Sequence, residues 1–205
     1  MKRWLILGAL LLVVSAAALR SERTWSFDKD KAGLAPNGFK SEVGEWKVAF
    51  DADARSKPNV LAQSARNSGG TFNLILVDGT DYKDLDLSVK MKAVAGREDQ
   101  GGGLVWRAKN SRNYYITRFN PLEDNFRVYK VENGRRSEFQ SANVKGDKKW
   151  HTLRASMAGD HIECYLDGKK LLDVRDSTFP SGGMIGLWTK ADAQSRFDDL
   201  SVSTP

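Results

Sequence analysis

Cysteine is almost absent from this chain: Cys164 is the only one among 205 residues. A single cysteine cannot form an internal disulfide, so packing must supply the stability of the fold. Histidine is also rare, with two residues, and no CxxC, HxH or HExxH spacing predicts a zinc site. These scarcities disfavour disulfide-stapled and zinc-dependent classes of protein.

The sequence also lacks any block of like charge. It carries 32 Lys and Arg against 26 Asp and Glu, a formal net charge of +6, and the two signs are interspersed. A basic nucleic-acid-binding arm would concentrate its cations, so we expect no nucleic-acid partner. The mild positive charge leaves an anionic glycan or a negative cell surface open as a partner.

No apolar run is long enough for a typical spanning helix of roughly 20 residues. Residues 1–18 instead have the pattern of a secretory signal peptide, which is a basic start at Lys2 and Arg3, an apolar stretch over residues 5–14 and small residues at 15–18. The pattern predicts export to the periplasm or the medium, with no transmembrane segment after cleavage. An uncleaved N-terminal anchor stays open as the alternative.

After residue 18 no stretch keeps apolar residues at helical spacing, whereas period-two alternation recurs. Around Cys164, for example, Ile162 and Leu166 alternate with polar residues, which predicts a buried thiol. Asn133-Gly134 and Asp167-Gly168 favour hairpin turns. We therefore predict an all-β domain over residues 24–203, a two-sheet antiparallel sandwich with strands near 46–50, 60–63, 72–77, 85–93, 104–108, 114–119, 126–131, 150–157, 162–166, 169–174, 184–189 and 196–202.

Catalytic motifs are scarce. No GxSxG elbow accompanies the two histidines, and Cys164 has the setting of a buried hydrophobe. No acidic pair is a convincing glycosidase pair. Asp84 and Asp86 share a strand face, but it is the lysine-bearing one; Glu123 and Asp124 fall in a loop; and the adjacent Asp198 and Asp199 point to opposite faces. No cofactor motif is evident. Calcium stays open, because loop aspartates offer hard oxygen ligands at Asp78, Asp81, Asp99, Asp192 and Asp198.

A set of arginines and aromatic residues gives the most informative pattern. A sugar site needs rings for the flat CH face and forked donors for the hydroxyl edge. If consecutive strands pair, three arginines stand in a row across one sheet, with acids such as Glu123, Asp124 or Asp192 among them to offset repulsion. The alternative is a solvent-exposed face with no ligand. The predicted binding residues are Arg107, Arg118, Asn120, Arg127, Trp188 and Lys190.

The sequence resembles a known family in the segments "GGLVWR", "NYY", "EDNFRVYK", "YLDGK", "GLWTKAD" and "FDDL". It is similar to the concanavalin A-like (laminin G-like) jelly-roll domains of exported bacterial proteins, in particular the keto-disaccharide hydrolase domain family. The resemblance implies two curved sheets with ligands on the concave one, and a first strand near Trp25 and Phe27 that pairs with the last strand, near 197–202. It identifies no catalytic residue.

Three functions follow from the residues and the resemblance together. The first is an exported carbohydrate-active domain that acts on or binds glycans on a concave sheet face, with hydrolase or lyase chemistry implied by the resemblance. The second is a noncatalytic glycan- or cell-surface-binding module. The third is a structural domain whose arginines only face solvent. Convergent carboxylates would favour the first, and a groove of rings and arginines without them would favour the second.

Overall fold

The structure is a computed structural model and describes residues 22–204. The predicted signal peptide, residues 1–18, lies outside the described residues. Within them no helix is long and apolar enough to cross a membrane. The described chain forms fifteen strands: β1 Glu22–Trp25, β2 Phe39–Val43, β3 Trp46–Phe50, β4 Asn59–Gln63, β5 Phe72–Val77, β6 Leu85–Ala95, β7 Gly102–Asn110, β8 Asn113–Asn120, β9 Asn125–Glu132, β10 Arg135–Asn143, β11 Trp150–Ala158, β12 His161–Leu166, β13 Lys169–Arg175, β14 Met184–Lys190 and β15 Gln194–Ser203.

The strands form two antiparallel sheets. Sheet A has the order β13-β12-β11-β6-β15-β4-β3, with β1 also paired to β15. Sheet B has the order β10-β9-β8-β7-β14-β5-β2. The predicted all-β sandwich is confirmed, and so is the pairing of the first strand with the last, because Trp25 lies opposite Leu200. Phe27 falls outside β1, since its φ of 65° leaves the extended region.

The core lies between the two sheets. Successive side chains of a strand point to opposite faces of its sheet, so every second side chain faces the core. On β6 the inward row of Leu85, Leu87, Val89 and Met91 is buried. Cys164 on β12 lies in the same core, and burial raises the pKa of its thiol to about 12. The predicted burial of the Cys164 thiol is confirmed.

A second apolar cluster covers the other face of sheet B. Arg136 on β10 and Phe72 on β5 are five strand spacings apart, roughly 24 Å across a flat sheet. Nevertheless, the guanidinium carbon of Arg136 lies 5.4 Å from the centroid of the Phe72 ring. Sheet B is therefore strongly curved, and this face is its concave face. Its apolar residues are Leu74, Leu76, Val105, Ala108, Tyr114, Ile116, Tyr129, Val131 and Trp188.

Candidate functional site

Five of the six predicted binding residues lie at the concave face of sheet B. Arg118 on β8 is directly opposite Arg127 on β9, and Asn120 lies two residues further along β8. Trp188 and Lys190 project from β14, and the Lys190 Nζ is 3.9 Å from the Asp99 carboxylate. The sequence therefore placed this group on a common face. Their role in ligand binding remains a prediction.

Arg107 does not stand in the predicted row. The register of β7 shifts between Trp106 and Asn110, and Arg107 has a φ of 47°, so strict alternation fails there. Gly103, not Arg107, lies opposite Arg118. The buried guanidinium of Arg107 donates to three carbonyls, those of Lys83 at 2.7 Å, Phe179 at 2.8 Å and Gly159 at 2.7 Å. Its place in the row was a wrong prediction, and its geometry is that of a structural anchor.

The centre of the concave face is a platform of aromatic rings. The rings of Trp188 and Phe72 have their centroids 5.5 Å apart. Arg136 lies over this platform, with its guanidinium carbon 4.6 Å from the Tyr129 centroid and 5.6 Å from that of Trp188. Such cation–π contacts contribute about 0.5–2 kcal/mol each. Burial lowers the pKa of Arg136, and no carboxylate of the described chain lies within ion-pair distance of it.

Around these rings, buried polar atoms accumulate without a hydrogen-bond partner in the described chain. Native proteins leave few such atoms unpaired, so a group of them in one place calls for an explanation, such as a ligand or an ordered water. Most of them are donors, and one is a carboxylate oxygen. The atoms are Asp99 Oδ2, Arg118 Nε and Nη1, Tyr129 OH and Arg136 Nη1. The Tyr114 hydroxyl and the Trp188 indole N–H are also buried there and lie beside each other.

Asp99 enters the site from the loop between β6 and β7. Its Oδ1 accepts hydrogen bonds from the Gly101 amide at 2.6 Å and the Asn120 side chain at 3.2 Å. Asp192 holds this loop in place by accepting the backbone N–H groups of residues 97, 98 and 99. Burial raises the pKa of Asp99 above its ordinary range, against the opposing effect of the Arg118 charge.

Glu123 is the second carboxylate of the site, and its pKa shifts in the opposite direction from that of Asp99. Burial alone would raise its pKa, but hydrogen bonds from Arg118 and Asn125 lower it to about 2. Its Oε2 is 2.8 Å from Arg118 and 3.6 Å from Arg127. The expectation that an acid lies among the arginines is confirmed for Glu123. Asp124 instead accepts a hydrogen bond from the Gly146 amide.

The structure gives no cluster that includes the aspartates weighed for calcium. Within residues 22–204, His161, Glu163 and Asp173 form the one group of three side chains close enough to share a metal ion. Lys170 bridges two of them, with its Nζ 2.7 Å from Glu163 and 2.9 Å from Asp173. Calcium stays an untested expectation.

The sequence analysis did not predict four residues of the site as binding residues: Asp99, Tyr114, Tyr129 and Arg136. Asp99 was weighed only as a calcium ligand. The motif "NYY" contains the signal for Tyr114, because neighbouring residues on a strand face opposite ways and Tyr115 lies in the core. No sequence pattern pointed to Arg136, because β10 has no regular alternation of buried and exposed residues and was not predicted as a strand.

The comparisons with known proteins concern the sandwich as a whole. Residues 26–203 match the family described as the 3-keto-alpha-glucoside-1,2-lyase-like domain. The chain belongs to that family. The match covers nearly all of the described sandwich, and the resemblance noted from the sequence is confirmed.

Three proteins with carbohydrate-related names are similar to this chain in sequence or in fold. The chain is 28% identical over 169 residues to a levanase of Bacillus subtilis (strain 168), an alignment of 80% of this chain but 23% of the levanase. It resembles the carbohydrate binding module CBM66 from Bacillus subtilis with a TM-score of 0.70 and 22% identity, over 85% of this chain and 99% of the module. A glycoside hydrolase family 16 endo-glucanase from Bacteroides ovatus has a TM-score of 0.62 and 12% identity, over 88% of this chain and 98% of the enzyme. The two structural likenesses establish the fold alone.

Proposed function

We propose that the concave face of sheet B binds a sugar unit of a glycan and that this domain acts as a glycan-binding module. The observation that carries the proposal is the group of unpaired polar atoms around the platform of Trp188 and Phe72. A sugar ring presents apolar CH groups to an aromatic face and hydroxyls to donors and acceptors at its edge. The site offers both kinds of contact within one curved surface.

Arg136 occupies the platform in the free protein. A sugar that stacks on Trp188 displaces this guanidinium, and no ion pair to a carboxylate in the described chain opposes the movement. The lost cation–π contacts cost about 0.5–2 kcal/mol each. New hydrogen bonds to the sugar hydroxyls offset that cost: a bond from the charged Arg118 contributes about 1.5–3 kcal/mol, and one from the neutral Tyr129 hydroxyl about 0.5–1.5 kcal/mol.

The comparisons support a carbohydrate ligand and suggest a first probe. The levanase relative makes levan fragments a reasonable starting ligand, although the chain spans less than a quarter of that protein. The module CBM66 has the same fold over nearly its whole length. We also propose that the chain is exported by residues 1–18, and N-terminal sequencing of the exported protein should begin between residues 17 and 22.

Tyr129→Phe tests the proposal, because it removes only a hydroxyl that makes no hydrogen bond in the free protein. Calorimetry with levan fragments should show an affinity loss of roughly 5–10-fold, as expected for one hydrogen bond. The free energy of unfolding should not fall, since a buried unsatisfied group is removed. Tyr165→Phe on sheet A is the matched control, because its hydroxyl donates to Glu163 on the surface. Unchanged affinity in Tyr129→Phe, or an equal loss in the control, would contradict the proposal.

A second function, cleavage of a glycosidic bond, is favoured by one observation. Asp99 and Glu123 both lie beside Arg118, and their pKa values shift in opposite directions. Such a pair can supply a protonated acid and an ionised carboxylate at the same pH. Chromatography of products from levan fragments and 3-keto-disaccharides tests it. Products from the native chain that vanish in Asp99→Asn, with binding retained, would establish catalysis; absence of products leaves the binding module.

A further inference from the structure

A second cleft lies on the outer face of sheet A, away from the concave face. It has a volume of about 420 Å³. Strands β6 and β11 form its floor, and the loops before β4 and before β11 form its walls. Its lining is dominated by cations around one indole and consists of Asp53, Arg55, Lys90, Lys92, Lys148, Lys149, Trp150, His151 and Thr152.

Strand register explains why cations gather there. Lys92 on β6 lies between Trp150 on β11 and Arg196 on β15, so two cations are direct cross-strand neighbours. Like charges in that arrangement repel unless acids offset them. Lys92 is 2.7 Å from Asp53, and Arg196 pairs with Asp51. Each cation of this cross-strand pair therefore has its own acid, and Lys92 contributes no unpaired charge to the cleft.

Positive charge remains after these pairs are formed. Among the described residues, neither Arg55 nor Lys148 has a carboxylate within 4 Å. The only carboxylate partner of Lys149 in the described chain, Asp147, is 3.8 Å away. Trp150 adds an indole whose N–H lies beside the Asp53 carboxylate. The cleft thus offers unpaired cations at its rim and an indole ring at its floor.

We infer that this cleft binds an anionic polysaccharide, a sugar chain with sulfate or carboxylate groups. The unpaired Arg55 and Lys148 suit the anionic substituent. The Trp150 ring suits the apolar face of a sugar ring, and Asp53 and Thr152 supply acceptors for hydroxyl groups. A nucleic acid is less well matched, because the basic lining is confined to one short cleft and does not follow a longer backbone. The inference goes beyond the proposed function, since this site lies on the opposite sheet.

Binding of dextran sulfate, measured by calorimetry at low salt, tests the inference, with neutral dextran and a single-stranded oligonucleotide in parallel. Dextran sulfate should bind and should weaken at high salt because the charges are exposed. The double variant Arg55→Ala, Lys148→Ala, which lowers the net charge by two, should lower its affinity at least fivefold. Trp150→Ala, which removes the ring at the floor of the cleft, should lower it about threefold. Polygalacturonate in place of dextran sulfate shows whether carboxylate groups also bind.

The matched control is Arg175→Glu, a charge reversal at the other end of sheet A that loses only a surface ion pair to Asp160. It should keep dextran sulfate affinity within twofold, and so should Tyr129→Phe on the concave face. The inference is overturned if Arg175→Glu weakens binding as much as the double variant. It is also overturned if neutral dextran or the oligonucleotide binds as tightly, or if dextran sulfate does not bind.

Discussion

At the scale of single residues, the arginines of sheet B have different roles that their surroundings decide. Arg107 is saturated by main-chain carbonyls, so it anchors the loops at one end of the sandwich. Arg118 is equally buried, yet it pairs with Glu123 through one nitrogen and leaves Nε and Nη1 unpaired. Arg136 rests on aromatic rings. The unpaired donors, more than the charge itself, are the reason for proposing the last two as binding groups.

Arg107→Ala should destabilise the fold and leave glycan affinity unchanged. The substitution removes the hydrogen bonds that three carbonyls now accept and leaves the buried Phe179 carbonyl without its donor, so the free energy of unfolding should fall by about 3 kcal/mol. Arg107→Lys should not restore it, because a single ammonium cannot reproduce the fork. Urea unfolding and calorimetry check both parts. A loss of glycan affinity without a loss of stability would contradict this prediction and would show that Arg107 takes part in binding.

The acid response of the protein should depend on Glu123. Its folded-state pKa of about 2 lies below the ordinary value near 4.3, so its stabilising contribution is present above that value and is lost as the pH falls toward 2. The side chain is partly exposed, so we expect a contribution on the order of 1 kcal/mol after solvent screening.

Urea unfolding of the native chain and Glu123→Gln checks this contribution. The variant should be less stable at pH 7, and the difference should shrink as the pH falls from about 5 toward 2. A difference that stays constant over that range would show that the carboxylate charge is not the cause.

At the scale of strands, alternation predicted most of the sandwich but failed where strands bulge. β6 and β12 follow period two along their length, and both were predicted from it. β7 has a register shift after Trp106, which moved Arg107 off the face that counting assigned to it. β2 and β10 border sheet B, where exposure removes the apolar pattern. A period-two pattern indicates a half-buried strand, so edge strands carry little signal.

Deletion of residues 22–25 tests the role of β1. This strand pairs with the end of β15 from Leu200 to Ser203, and the Trp25 ring packs 5.9 Å from that of Phe39 in the other sheet. Its loss should expose an unpaired edge of β15 and remove a contact between the sheets. Thermal unfolding should shift downward and light scattering should show association. A truncated chain as stable and monodisperse as the parent would contradict this role.

At the scale of the whole molecule, the curvature of sheet B creates the site. It brings Arg136 and Phe72 together from strands that lie far apart in the sheet order. Sequence spacing predicts which side chains share a face, and it did so for Arg118, Arg127 and Trp188. It does not give the bend that converts a face into a concave surface, because the bend arises from twist accumulated over many strands.

The central claim is that the glycan binds on the concave face, and the indole N–H of Trp188 reports on it directly. In the free protein this group lies beside the Tyr114 hydroxyl, whereas the indoles of Trp46 and Trp106 donate to Val43 and Met157. Nitrogen-15 NMR of the indole groups, with Trp188→Phe for assignment, should show the Trp188 signal moving as levan fragments or another bound glycan reach saturation. The Trp46 and Trp106 signals should stay in place. A Trp188 signal that does not move while the glycan saturates the protein would contradict the claim.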